Sequence, residues 1–135
     1  MTIRLDHTIV PAIDKVASAE FFAKIFGLEV KPGDYFVQVQ INESLTFDFA
    51  DDPDSLEDEG PDSRARQSHH YAFHVSDAEF DAIFGRVTAM GIAYGSGPFN
   101  HSDGRIYKRR GGRGIYFEDP YGHLLEVMTV PETGS

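Results

Sequence analysis

The sequence predicts an α+β fold built from two βαβββ modules, and three observations lead there. Stretches with helical spacing of apolar residues are flanked by short runs of period-two alternation. The dipeptides Phe26-Gly27 and Met90-Gly91 close two equivalent helices. Subtracting positions pairs His7 with His70 and Gly27 with Gly91 at nearly the same offset, the mark of an internal duplication. Module 1 is expected over about 3–50 and module 2 over about 68–130. A linker at 51–67 joins them, and the whole chain, 1–135, forms a single domain.

In the first module, Leu5 to Val10 reads as a strand that Pro11 ends, because proline has no N–H to donate. Ser18 is the expected N-cap of a helix through Phe26, and Gly27 stops it. Phe21, Phe22, Ile25 and Phe26 form its buried stripe. Leu28 to Val30 is a short strand and Tyr35 to Ile41 alternates as another. Asn42-Glu43 makes a turn into Leu45 to Ala50. In the second module, His70 to Val75 is a strand and Ser76 an N-cap, and Asp77 and Glu79 suit the positive end of the helix dipole. Phe80, Ile83, Phe84 and Val87 form the apolar stripe. Ile92 to Tyr94 is a short strand, followed by a long loop and then strands at Gly114 to Phe117 and His123 to Thr129.

Composition narrows the function. A hydrophobic fraction of 41% supports a globular core, and no apolar run reaches the length of a membrane span. The N-terminal segment, interrupted by Asp6 and His7, does not read as a signal peptide, so a cytoplasmic location is expected. There is no cysteine, which removes disulfides and thiol chemistry. The net charge of −10 argues against a nucleic-acid partner. The charge is uneven. Asp51 to Asp62 carries seven acids and no base and reads as a mobile, solvated loop, whereas Arg105 to Arg113 carries five bases and no acid. A basic loop in an acidic protein is a candidate anion site, with Arg105, Lys108 and Arg113 as the substrate-binding cations.

The candidate metal ligands are His7, His70 and Glu126. Each sits on a predicted strand, and the two histidines occupy the same repeat position. Two imidazoles and a carboxylate hold one face of a divalent cation and leave the other open. By strand parity His7 shares a face with Leu5 and Ile9, His70 with Ala72 and His74, and Glu126 with Leu124 and Met128. Asp48 shares a face with Thr46 and Ala50, away from Phe47 and Phe49. Each sheet can therefore curl around an inner face with a polar group near mid-strand. His74 is about 13 Å along the strand from His70, which makes it a pocket residue rather than a ligand of the same ion. Tyr116 is a candidate proton donor or oxyanion stabiliser, and Tyr116 and His74 are the catalytic candidates. Phe36, Phe73 and Phe99 are candidates for an apolar wall.

Leu5-Asp6-His7, His70-Tyr71-Ala72-Phe73-His74-Val75 and Ile115-Tyr116-Phe117-Glu118-Asp119-Pro120-Tyr121-Gly122-His123-Leu124-Leu125-Glu126 resemble the vicinal oxygen chelate superfamily. This group includes glyoxalase I, extradiol dioxygenases, and fosfomycin- and bleomycin-resistance proteins. The resemblance implies mixed sheets forming a metal-containing cleft, often across a homodimer. It implies His7, His70 and Glu126 as ligands of one ion per site (Fe, Mn, Ni, Co or Zn), with Asp48 as a possible further ligand. It also implies an enzyme acting on a small molecule that chelates the metal through adjacent oxygens. Lyase, isomerase, ring-cleaving dioxygenase and epoxide-opening chemistry all remain open. The alternative is a metal-free drug-sequestering protein of the bleomycin-resistance type. The extradiol pattern begins with a His where this chain has Tyr107, Lys108 and Arg109, a departure from ring-cleaving members.

Overall fold

The computed structural model describes residues 3–53 and 68–131; the expected acidic linker lies outside the described residues from position 54 to 67. The chain divides into two compact units, Met1–Gln67 and Ser68–Ser135. Each pairs a helix with a mixed sheet, as the α+β class requires.

The first unit runs β1 (His7–Ala12), α1 (Lys15–Phe26), β2 (Val30–Lys31), β3 (Val37–Asn42) and β4 (Leu45–Asp51). Its sheet order is β1-β4-β3-β2, with β1 parallel to β4 and the other pairs antiparallel. Alternation divides the faces. Val10, Ala12, Val37, Val39, Phe47 and Phe49 are buried on one side. There Phe22 of α1 meets the rings of Phe47 and Phe49 at 5.2 and 6.0 Å between centroids. Burying such a ring is worth about 1.5–3 kcal/mol. His7, Ile9, Gln38, Gln40, Thr46 and Asp48 take the opposite face by the same parity.

Two local expectations change. β1 runs on through Pro11 to Ala12. The carbonyls of Asp6 and Ala12 accept from Thr46 and Asp52 of the β4 side, so the even-numbered residues bond β4. The N–H that proline lacks would point to the far edge of an end strand, where the ladder does not need it. The helix begins at Lys15 rather than after Ser18, because Asp14 is the N-cap. Its Oδ1 accepts from Val16 N at 3.0 Å and Ala17 N at 3.2 Å. Ser18 is buried one turn further in. Gly27 stops α1 as expected, in the left-handed conformation with φ 72°.

The second unit runs β5 (His70–His74), α2 (Asp77–Ala89), β6 (Tyr94–Gly95), β7 (Tyr107–Arg109), β8 (Gly112–Glu118) and β9 (Leu124–Met128). The order is β5-β9-β8-β6, with β5 parallel to β9. Ser76 caps α2 through a complete capping box: Glu79 N donates to Ser76 Oγ and Ser76 N to Glu79 Oε1. Ile115, Phe117, Leu125 and Val127 are fully buried, as are Phe80 and Val87 of α2.

The expected long loop after Tyr94 contains β7, which pairs with the start of β8. Arg110 and Gly111 both have positive φ, 49° and 79°. Such a pair is what a two-residue hairpin turn of the I′ kind needs. The basic segment is thus a hairpin, not an open loop, and its side chains alternate between faces. Among the described residues, no helix is long and apolar enough to cross a membrane.

Replacing Asp14 with Ala removes the α1 cap and is expected to cost about 1 kcal/mol in urea denaturation. Ser18→Ala, which removes a hydroxyl inside the helix, is expected to cost less; a larger loss at Ser18 would return the cap to that residue.

Candidate metal and substrate site

In the second unit, parity gathers the chemistry on the sheet face away from α2. Leu125 and Val127 point into the core, so Glu126 between them points out the other way. Its register partners are Ala72 on β5 and Tyr116 on β8. The Glu126 carboxylate is nevertheless buried, with its side chain 6% exposed. Burying an unpaired carboxylate costs several kcal/mol. Here both oxygens have partners: His70 Nε2 lies 3.1 Å from Oε1, and the Tyr107 hydroxyl donates to Oε2 at 2.5 Å. Arg109 Nη2 lies 3.9 Å from the same Oε2.

His70 is oriented from behind. Its Nδ1–H donates to the Leu124 carbonyl at 3.0 Å. A carbonyl only accepts, so in a neutral imidazole Nε2 carries the lone pair. That lone pair faces a carboxylate oxygen, an arrangement that calls for positive charge between them, either a proton or a metal ion. An imidazole with a fixed tautomer beside an ionised oxygen is a donor set suited to a divalent cation. Aromatic rings flank the pair. Tyr116 stacks on His70 at 5.8 Å and lies 5.6 Å from Tyr107. Burial and the Glu126 carboxylate push the Tyr107 hydroxyl well above the usual phenol range, so it stays protonated and donates.

In the first unit His7 is more exposed. Its Nδ1–H donates to Asp6 Oδ2 at 2.7 Å, which leaves Nε2 as the second nitrogen. The Asp6 hydrogen bond, helped by the Asp48 charge, raises the His7 pKa above its ordinary 6.5. Asp48 Oδ1 accepts from Gln38 Nε2 and Thr46 Oγ1, both at 3.1 Å. The register leaves no slip: Asp48 is on the His7 face, and Phe47 is in the core. Within either unit, no three described His, Asp or Glu side chains converge as a metal-binding group. The structure joins His70 to Glu126 and carries His7 in the other unit.

The sequence profile of the Glyoxalase/Bleomycin resistance protein/Dioxygenase superfamily matches residues 4–127. The chain belongs to this superfamily. Among solved structures similar to it are two oxidases. Oxidase ChaP-H2 is 44% identical, covering 99% of this chain and 98% of that one, with a TM-score of 0.85. Oxidase ChaP-H1 is 41% identical, covering 98% and 100%, with a TM-score of 0.83. The fosfomycin resistance protein FosX from Mesorhizobium loti shares the fold at 22% identity, covering 98% and 97%, with a TM-score of 0.67. A metallothiol transferase, FosB of Shouchella clausii, is 37% identical over 65 residues, which is 47% of this chain and only 40% of the transferase.

The superfamily scaffold treats the remaining candidates differently. Tyr116 lies on the Glu126 face. His74 shares that face further along β5, where Nε2–H donates to the Thr129 carbonyl at 3.2 Å. Arg105 is an exposed residue whose backbone N–H is held by Asp103. Lys108 and Arg113 are register partners on the other face. Arg113 is turned to α2, bonding Asp81 at 2.9 Å and Asp77 at 3.3 Å and lying 4.4 Å above the Phe80 ring. Phe73 likewise alternates away from His70 and His74, and Phe99 is 94% exposed. Beside Glu126 stand Tyr107 and Arg109, which are not among the site residues expected from the sequence. Their signal is the alternation Tyr107-x-Arg109, with Tyr107 opposite Gly114, whose missing side chain leaves room for the ring.

Two outcomes are expected. Arg113→Ala costs about 1 kcal/mol of stability through lost packing and cation–π contact, with metal affinity unchanged in calorimetry. An NMR titration of metal-free protein gives His7 a pKa above 6.5, so that its imidazolium persists to higher pH, and Asp6→Asn lowers that value. An unchanged titration in Asp6→Asn would rule out the Asp6 contact as its cause.

Proposed function

We propose that this protein is a metal-dependent oxidase that acts on a small substrate presenting two adjacent oxygens. The observation carrying this reading is the buried Glu126 carboxylate facing the tautomer-fixed Nε2 of His70. His70 and Glu126 would hold the ion together with His7, whose Nδ1 is already engaged by Asp6. The pairing of two imidazoles with one carboxylate and open positions favours iron(II) among the divalent metals. Similarity above 40% to two oxidases across nearly the whole chain favours oxidation over lyase, isomerase or epoxide-opening chemistry.

When bound, the metal supplies Lewis acidity toward the two substrate oxygens and the redox capacity that oxidation by dioxygen needs. The chain's own residues do the rest. Asp6 and the Leu124 carbonyl keep the imidazoles turned with Nε2 outward. The Tyr116 ring, stacked on His70, offers an apolar face against which a planar substrate lies, and its hydroxyl is the candidate proton donor to a substrate oxygen. Arg109 brings positive charge to the same face, which suits a substrate that ionises as it binds. A site of this kind in a homodimer takes His7 either from the same chain or from a second copy.

Metal analysis of tag-free protein before and after chelation tests the reading. The expected result is roughly one equivalent of iron per chain, lost in His7→Ala, His70→Ala and Glu126→Gln. Oxygen uptake with a panel of vicinal dihydroxy aromatics is expected to fall by at least ~100-fold in the same variants. No metal in the isolated protein, and none taken up on reconstitution, would instead leave a ligand-sequestering protein of the bleomycin-resistance type.

A further inference from the structure

We propose that Tyr107 is a positioning residue that makes Glu126 a one-oxygen metal ligand, reserving Oε2 for itself and leaving Oε1 to the ion. This rests on the metal site proposed above.

A glutamate has three rotatable side-chain bonds and binds metals through one oxygen or both. In this structure its two oxygens are already distinguished. Oε2 receives the short Tyr107 hydrogen bond at 2.5 Å and sits 3.9 Å from Arg109 Nη2. Oε1 faces His70 Nε2. Charge-assisted O–H···O⁻ bonds of this length are among the stronger hydrogen bonds proteins make. Turning Oε2 toward an ion would make the ion compete with that bond and weaken the hold on a half-buried hydroxyl.

The seat of the Tyr107 ring is built independently of Glu126. Tyr107 on β7 is paired with Gly114 on β8. A Cβ at Gly114 would lie 2.2 Å from Tyr107 Cζ and 2.3 Å from its hydroxyl oxygen. Glycine inside a strand weakens it, and one recurrent reason for its presence is the close approach of another group. Here that group is the phenol. Arg109 covers the ring at 5.3 Å and Tyr116 flanks it at 5.6 Å. Glycine clearance, the arginine cover and the tyrosine flank together fix one hydroxyl position, and it is the position that occupies Oε2. A glutamate restricted to one oxygen leaves one more position on the ion for a substrate that must bring two.

The test uses full-length protein stripped by chelator and titrated with Co(II), read by calorimetry and by the visible spectrum of the bound ion. Tyr107→Phe keeps the ring and removes the hydroxyl. Gly114→Ala keeps the hydroxyl and displaces the ring. Glu126→Gln serves as the ligand-loss reference. Each of the first two is expected to weaken Co(II) binding about 10–100-fold, the range for partners that orient a ligand, and to change the visible band. Thermal melts establish that each variant is folded. If Gly114→Ala does not fold, Tyr107→Phe decides alone. Parental affinity and spectrum in Tyr107→Phe, alongside weakened Glu126→Gln, would overturn the positioning role and leave the metal site standing, even if the variant were less stable. A parent protein that takes up no cobalt would overturn the metal site itself, and this inference with it.

Discussion

Glu126 is the constraint around which the second unit is organised. It stands on β9 between Leu125 and Val127, both fully buried. The strand cannot move outward without exposing them, so the carboxylate on the other face cannot escape to water. A charge held in this way must be met by donors, and neighbouring strands supply them. β5 brings His70, β7 brings Tyr107 and Arg109, and β8 brings the glycine that lets Tyr107 in. The energetic demand of one buried carboxylate thus accounts for a short additional strand, a tight hairpin and a glycine at mid-strand.

The pairing of His70 with Glu126 also depends on how β5 and β9 are aligned, and that alignment is fixed at the start of β9. The turn Asp119-Pro120-Tyr121-Gly122-His123 is closed by Asp119 Oδ1, which accepts the backbone N–H groups of Tyr121, Gly122 and His123 at 3.0, 2.9 and 2.8 Å. Burial raises the Asp119 pKa although these three bonds and the nearby His123 act to lower it; desolvation is the larger effect. His123, fully buried, accepts from His69 N through Nδ1 at 2.9 Å and stacks on Tyr121 at 4.5 Å. Leu124 N then donates to the His69 carbonyl. A clamp on the residue just before His70 therefore sets the register of the whole parallel pair. A slip of one residue would turn Glu126 into the core and Leu125 toward His70.

Much of this was legible in the sequence because it follows from alternation. The strands, the two helices and the faces of His70, Glu126 and Asp48 follow from period-two and helical spacing, and the Ser76 cap and the Gly27 stop from residue type. The errors share a cause. β7 is three residues long and lies in a run of basic residues that reads as a loop, so alternation does not mark the strand that carries Tyr107 and Arg109. Without it, parity cannot sort Arg109 from Lys108 and Arg113, and charge alone does not say which cation shares a face with Glu126. His123 opens the expected last strand, and nothing local marks it as a histidine stacked between the rings of Tyr121 and His69. Asp14 was passed over as the α1 cap because Ser18 stands before a clearer apolar stripe, and the first turn of a helix need not be apolar.

The duplication shows how one frame reached two local outcomes. Ile9 pairs with Asp48 in the first unit as Ala72 pairs with Glu126 in the second, in each case two residues after the histidine. The next strand inward places Gln38 beside Asp48 where it places Tyr116 beside Glu126. The backbone positions therefore correspond, and the difference lies in side-chain reach. Aspartate is one methylene shorter, and its carboxylate is met from its own sheet by Gln38 and Thr46, while His7 turns to the adjacent Asp6. Glutamate extends far enough for one oxygen to face His70 and the other to meet a tyrosine from an added strand. A duplicated sheet with equal registers thus holds an aspartate bonded within its own sheet in one half and a histidine–carboxylate pair in the other, and the longer carboxylate, Tyr116 in place of Gln38 and the added strand β7 together separate them.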